Sequence, residues 1–164
     1  MRSTVHWLFV VSVALFVSGI AFVVAAGRSA RQPAPAAVEA PATVPVATVR
    51  QIMAAITQPA ATAIYGAVGT IMNAEGVKEI APETDEDWAS LAGQAAALIE
   101  SGNLILMGDR PIDQGDWVKM TQALMDGGRL ALEAAEGRST SGILEAGDVI
   151  NRSCDTCHER YQRQ

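Results

Sequence analysis

The only two cysteines of this 164-residue chain stand three residues apart and are followed at once by a histidine, in Cys154-Asp155-Thr156-Cys157-His158. Residues at i, i+3 and i+4 share one face of a helix. A helix over this pentapeptide therefore turns both thiols and the imidazole the same way. The stripe continues upstream: Ile143, Gly147, Ile150, Cys154, Cys157 and Tyr161 recur at spacings of four and three. That is one continuous seam, and it predicts a single helix from about Ser141 to Gln162 whose apolar stripe needs other helices to cover it.

The pattern C-x-x-C-H reads as covalent haem attachment. Two thiols meet the two vinyl groups of one haem, and the histidine reaches the iron. Other chemistries fit poorly. A structural zinc ion takes four ligands, and the one further histidine, His6, lies at the start of an apolar N-terminal run. A thioredoxin-like pair requires a βαβ setting that the sequence does not offer. A disulfide framework is excluded by count. The expectation is one haem c per chain, held by Cys154 and Cys157, with His158 as an axial ligand.

The rest of the chain also reads as helical, with no strand alternation. A first helix is expected from about Val46 to Asn73, with Val49, Met53, Ile56, Ala60, Ile64, Ala67 and Ile71 at helical spacing and a kink before Pro59. Gly76 to Pro82 is expected as a connection. Thr84-Asp85-Glu86-Asp87 resembles a capping box and opens a second helix through Trp88, Leu91, Ala95 and Leu98. Gly108-Asp109-Arg110-Pro111 ends it. A third helix is expected from near Asp113 through Trp117, Met120 and Leu124, weakened at Gly127-Gly128, with the last turn at Gly137 to Ser141. Short connections imply antiparallel neighbours, so the fold class is all-α, an antiparallel four-helix bundle over residues 46–164.

Ahead of it, residues 1–31 form an apolar segment, 20 residues long from Trp7 to Ala26, diluted only by Ser12, Ser18 and Gly19. About 20 apolar residues span a membrane as a helix. A signal peptide has a shorter apolar core before a small-residue cleavage site, a role that Val24-Ala25-Ala26 could fill. The expectation is an uncleaved transmembrane anchor. Arg28 and Arg31 on its far side run against the positive-inside rule. Residues 32–45, with Pro33, Pro35, Pro41 and Pro45, read as a semi-rigid linker. Either way the haem domain faces the periplasm. It is tethered to the inner membrane, or soluble there if residues 1–26 are removed.

Residues 32–164 carry all 18 acidic side chains against nine of the 12 basic ones. Such a domain repels nucleic acid and suits a redox partner protein with a basic docking surface. No Ser-His-Asp, paired-carboxylate or phosphate-loop pattern is present, so the chain is not expected to be an enzyme.

Helix count and terminal motif together resemble cytochrome c′ and the class II c-type cytochromes, over roughly residues 46–164. The resemblance implies a left-twisted bundle, often a homodimer, with the haem between helices and His158 as fifth iron ligand. Members usually carry Arg or Lys four residues after the haem histidine; here that position is Gln162, flanked by Arg160 and Arg163. The resemblance also implies a sixth position covered from early in the first helix, in Arg50-Gln51-Ile52-Met53. Met53 is the candidate ligand, with Met72, Met107, Met120 and Met125 as lesser ones. Methionine opposite histidine raises the potential and suits a single-electron carrier. An uncovered sixth position instead implies a five-coordinate protein that binds NO or CO. Ile56, Pro59, Tyr65 and Tyr161 are expected to line the haem. Trp88 and Trp117 read as core, and Arg152 and Arg160 as solvated or paired with propionates.

Overall fold

The computed structural model describes residues 2–29 and 43–162. The chain divides into two units, Met1–Ala42 and Thr43–Gln164. In the first, α1 (Arg2–Ser29) is one helix. Its stretch Ser3–Arg28, with mean hydropathy 2.7, is long and apolar enough to cross a membrane. Large side chains such as Trp7, Phe16 and Phe22 are exposed along it. Most of the expected linker lies outside the described residues, as do Arg31 and Arg163. Its last residues belong to the second unit: a Cβ on Gly108 would stand 2.6 Å from Pro45 Cγ. Arg110 donates from Nε and Nη2 to Ala47 O at 2.9 and 2.8 Å. The folded unit thus begins before residue 46.

The first helical rod starts at a capping box. Gln51 N–H donates to Thr48 Oγ1 at 3.2 Å, and Thr48 N–H donates to Gln51 Oε1 at 2.9 Å. The box satisfies donors that a helix start leaves open. The rod comprises α2 (Val49–Ile52), a π turn (Met53–Thr57) and α3 (Gln58–Ala67). Backbone dihedrals stay helical across both junctions. Where a kink is expected before Pro59, the rod widens: Gln58 N–H reaches back five residues to Met53 O. Pro59 has no N–H to give to a carbonyl one α-turn earlier, and the wider turn takes up the misfit.

The rod ends six residues sooner than its apolar spacing predicts. Val68 is extended, and β1 (Gly69–Asn73) pairs antiparallel with β2 (Gly76–Ile80), from Gly69↔Ile80 to Asn73↔Gly76. Two short strands therefore replace the expected helix end and connection, so the fold is mostly helical but not all-α. Gly76 carries the turn at φ +131°, a conformation open to glycine. Asn73 Oδ1 accepts from Glu75 N–H at 3.1 Å.

α4 (Asp85–Leu106) opens on the capping box, with Asp87 N–H donating to Thr84 Oγ1 at 3.1 Å and Thr84 N–H to Asp87 Oδ2 at 2.9 Å. α5 (Asp116–Glu136) starts three residues later than expected, because Asp113 lies outside it and accepts from Gly115 and Trp117 N–H. α6 (Thr140–Tyr161) is capped by Ser139 Oγ, which accepts from Gly142 N–H at 3.1 Å.

α4 packs on α5, α5 on α6, and α3 closes against α4 and α6. Ile64, Leu98, Ala131, Ile143, Ala146 and Ile150 are almost wholly buried between them. α5 runs unbroken through Gly127 and Gly128, which let it approach both neighbours: a Cβ on Gly128 would stand 2.8 Å from Ile99 Cγ1. A smaller cluster of Ile52, Ile105 and Trp117 fills the end near Met53 and Tyr161.

Candidate haem site

α6 carries the site because its seam is half core and half cavity wall. Ile143, Ile150 and Ser153 are buried, while Cys154 and Cys157 are half-buried and His158 is exposed. All three site residues border one cavity of about 470 Å³. Its far walls are Met53, Ala61 and Tyr65 from the first rod and Met120 and Leu124 from α5. A second cavity of about 510 Å³ shares Met53, Cys157 and His158, and is bounded by Arg50, Arg110 and Trp117.

Burial pushes both thiols up. Ser153 and Tyr65 hydrogen bonds act against that shift at Cys154, and the neighbouring Cys154 adds to it at Cys157. Both thiols are therefore neutral near pH 7, unlike the depressed thiolates of reactive cysteines. Tyr65 is pushed up to about 12, first by burial and then by Cys154. Its hydroxyl donates most readily when Cys154 is ionised, so their hydrogen bond adds to the rise of the phenol and opposes the rise of the thiol.

Beyond His158, the end of α6 is tied down. Gln162 N–H donates to His158 O at 2.9 Å. Tyr161 OH donates to Asp113, holding that carboxyl below its ordinary range and pushing the phenol up. The Tyr161 ring meets Trp117 edge-on at 5.1 Å. Arg160 lies over it and pairs with Asp116 at 2.8 Å, so it is not a free surface cation. Arg152 is exposed. Trp117 Nε1 is buried without a hydrogen-bond partner among the described residues, a loss of about 1–3 kcal/mol where it stays so.

Of the sequence expectations, Met53 and Tyr65 come together with Cys154, Cys157 and His158 around the first cavity, and Tyr161 borders the second. Ile56 and Pro59 do not join them. Ile56 faces a separate groove with Val44 and Leu104, and Pro59 is exposed. Both lie off the Met53–Ala61–Tyr65 stripe, on the other side of the rod. Trp88 is core, as read. Met120 borders the same cavity as Met53, whereas Met72 is exposed on the hairpin and Met125 is core. The wall residues Thr57, Ala61 and Thr62 were not foreseen. A run of fours links Thr57 and Ala61 to Tyr65 in the sequence, but it leaves Met53 about 120° from Tyr65 on a regular helix, and Thr62 carries no such signal.

The donor set fits a haem c: two neutral thiols and an imidazole on one helix face, opening on a mostly apolar cavity with two thioethers across it. No cluster of three or more His, Cys, Asp or Glu suited to a bare metal ion occurs among the described residues. Comparison with protein-family models, with curated proteins and with solved structures finds no match for this chain.

Proposed function

We propose that this chain is a c-type haem protein of the cytochrome c′ kind that transfers single electrons. The observation that carries the proposal is the shared cavity: Cys154, Cys157 and His158 form one wall and Met53 stands on another. On this reading the rod of residues 49–67 with α4, α5 and α6 makes an antiparallel four-helix bundle. Cys154 and Cys157 would hold the haem as thioethers, His158 would take the fifth iron position and Met53 the sixth. The bound haem supplies the one-electron chemistry. The chain's own work is to exclude water with Ala61, Leu124 and Ile105, and to fix the end of α6 through Tyr161, Asp113 and Gln162.

The apolar helix α1 supports a membrane-tethered domain on the periplasmic side, where haem c is attached. Its partners would be redox proteins, and a homodimer is consistent with the same family resemblance. The acidic residues Glu83, Asp85, Glu86 and Asp87 sit at the start of α4, which Arg138 joins to the α5–α6 turn at 2.9 Å from Asp85. His158 lies 18 residues further along α6, about 27 Å away at 1.5 Å per residue. A basic partner exchanging electrons would instead meet the exposed acids beside the motif, Asp155 and Glu159.

Absorption and haem staining of the purified full chain test the proposal. Expected are covalent haem that is lost in Cys154→Ala/Cys157→Ala, a low-spin ferric spectrum, and a long-wavelength band of methionine ligation that is lost in Met53→Ala. A high-spin spectrum that shifts on adding CO to the reduced protein, or on adding NO, would instead favour the second reading, a five-coordinate NO- or CO-binding protein. The hydroxyls of Thr62 and Tyr65 on the same cavity give that reading its footing.

A further inference from the structure

The π turn lies immediately beside the candidate sixth ligand, and its geometry decides which way that ligand faces. A regular α-helix advances about 100° per residue, so Met53 and Tyr65, twelve positions apart, would stand about 120° apart around the rod. They would not share a wall. In the structure they do: Met53, Ala61 and Tyr65 all border the cavity that holds Cys154. The π turn takes up one extra residue, which removes about 100° and leaves the two within about 20° of each other. Ala54 stays outside that cavity: it borders the groove with Ile56 and the edge of the second cavity, but not the wall that Met53 shares with Tyr65 and Cys154.

We infer that the π turn Met53–Thr57 is the positioning element that selects Met53, rather than its neighbour Ala54, for the sixth iron position. This inference rests on the proposed reading of Met53 as a ligand. Two features hold the turn in place. Upstream, Ile52 is buried against Ile105 and Trp117, and the Thr48 capping box fixes the start of the rod. Downstream, Ala60, Ala61 and Ile64 are buried in the main core. The two ends are thus locked in a phase that one α-helical residue too many separates, and Thr57 and Pro59 occupy the place where the surplus collects. Thr57 Oγ1 turns back to Ile52 O at 3.5 Å, and Pro59 asks for no backbone acceptor.

Two variants of the full-length holoprotein test this. Deleting Ala55 removes the surplus residue and restores a regular helix with both ends in their present phase, so the low-spin spectrum and the methionine band are expected to persist. Exchanging positions, Met53→Ala with Ala54→Met, keeps length and composition but moves the thioether about 100° around the rod; the band is expected to vanish and the ferric haem to become high-spin. Loss of the band on deleting Ala55 in a folded protein, or its survival in the exchange variant, would overturn the inference. Should the deletion prevent folding, the exchange variant decides alone. A wild-type protein without a Met53-dependent band would overturn the ligand reading and this inference together, an outcome distinct from either variant result.

Discussion

Gly127 of α5 lies directly against Ile150 of α6: a Cβ added to the glycine would stand 2.8 Å from Ile150 Cγ1 and 3.2 Å from Ile150 N. Ile150 precedes Cys154 by one helical turn, so this contact sets how closely the helix that carries the Cys154–His158 motif is drawn onto its neighbour.

Gly127→Ala should destabilise the domain even though alanine is the better helix former by about 1 kcal/mol. Ile150 N is backbone and cannot rotate away, and overpacking a tight core contact costs about 1–3 kcal/mol. Gly128→Ala should cost less, because there only the Ile99 side chain is close and its backbone N stands at 3.5 Å. Urea denaturation of the two variants checks the order. Equal midpoints would mean that the close Ile150 backbone costs no more to overpack than the Ile99 side chain.

The acid limb of stability should depend on Asp87. Thr84 Oγ1 and the N–H groups of Thr84 and Glu83 hold this carboxyl below its ordinary value of 3.8. A group depressed in the folded state stabilises above the unfolded value and loses that contribution as pH falls through the folded one. Asp87→Asn should therefore lower stability at pH 7, where the depressed carboxyl contributes fully, and flatten the fall in stability below pH 3.8. Thr84→Ala, which removes the cap itself, should cost about 1 kcal/mol at pH 7. Thermal melts across pH check both.

The parts legible in the sequence are those where one physical signal acts alone. The α6 seam shows as unbroken spacing, and the start of α4 as a capping box. The hairpin was hidden because Ile71 continues the helical spacing of Ile64 and Ala67, while its turn is marked only by Asn73 and Gly76. The π turn was hidden because Pro59 announces a disturbance but not its form. The form is imposed by two separate cores, around Ile105 and around Ile64, that fix the phase of each end. Gly127-Gly128 reads locally as helix weakness, and only the positions of Ile99 and Ile150 show it to be close packing. Met53 and Tyr65 are each legible as candidates, but the sequence shows only a kink before Pro59 and not the widened turn, and it is the turn that leaves Ile56 and Pro59 off their cavity.

Tyr65 and Cys154 give the last prediction, which needs no haem. Burial dominates the upward shift of the Cys154 thiol, while the Tyr65 hydroxyl opposes it by donating to the ionised sulfur. In the Cys157→Ala protein prepared without haem, Tyr65→Phe should push the Cys154 thiol further up and slow its alkylation at mildly alkaline pH. Faster alkylation would show that the ring shields the sulfur more than the hydroxyl stabilises its anion. The same pair predicts the alkaline limb. Tyr65 stands at about 12 in the folded chain against an ordinary 10.0. A group raised on folding stabilises below its unfolded value, and that contribution is lost as pH rises from 10.0 towards about 12. Tyr65→Phe should therefore fall less steeply in stability over that window than the parent. Denaturation midpoints at pH 9 and above, measured for both proteins, check the sign.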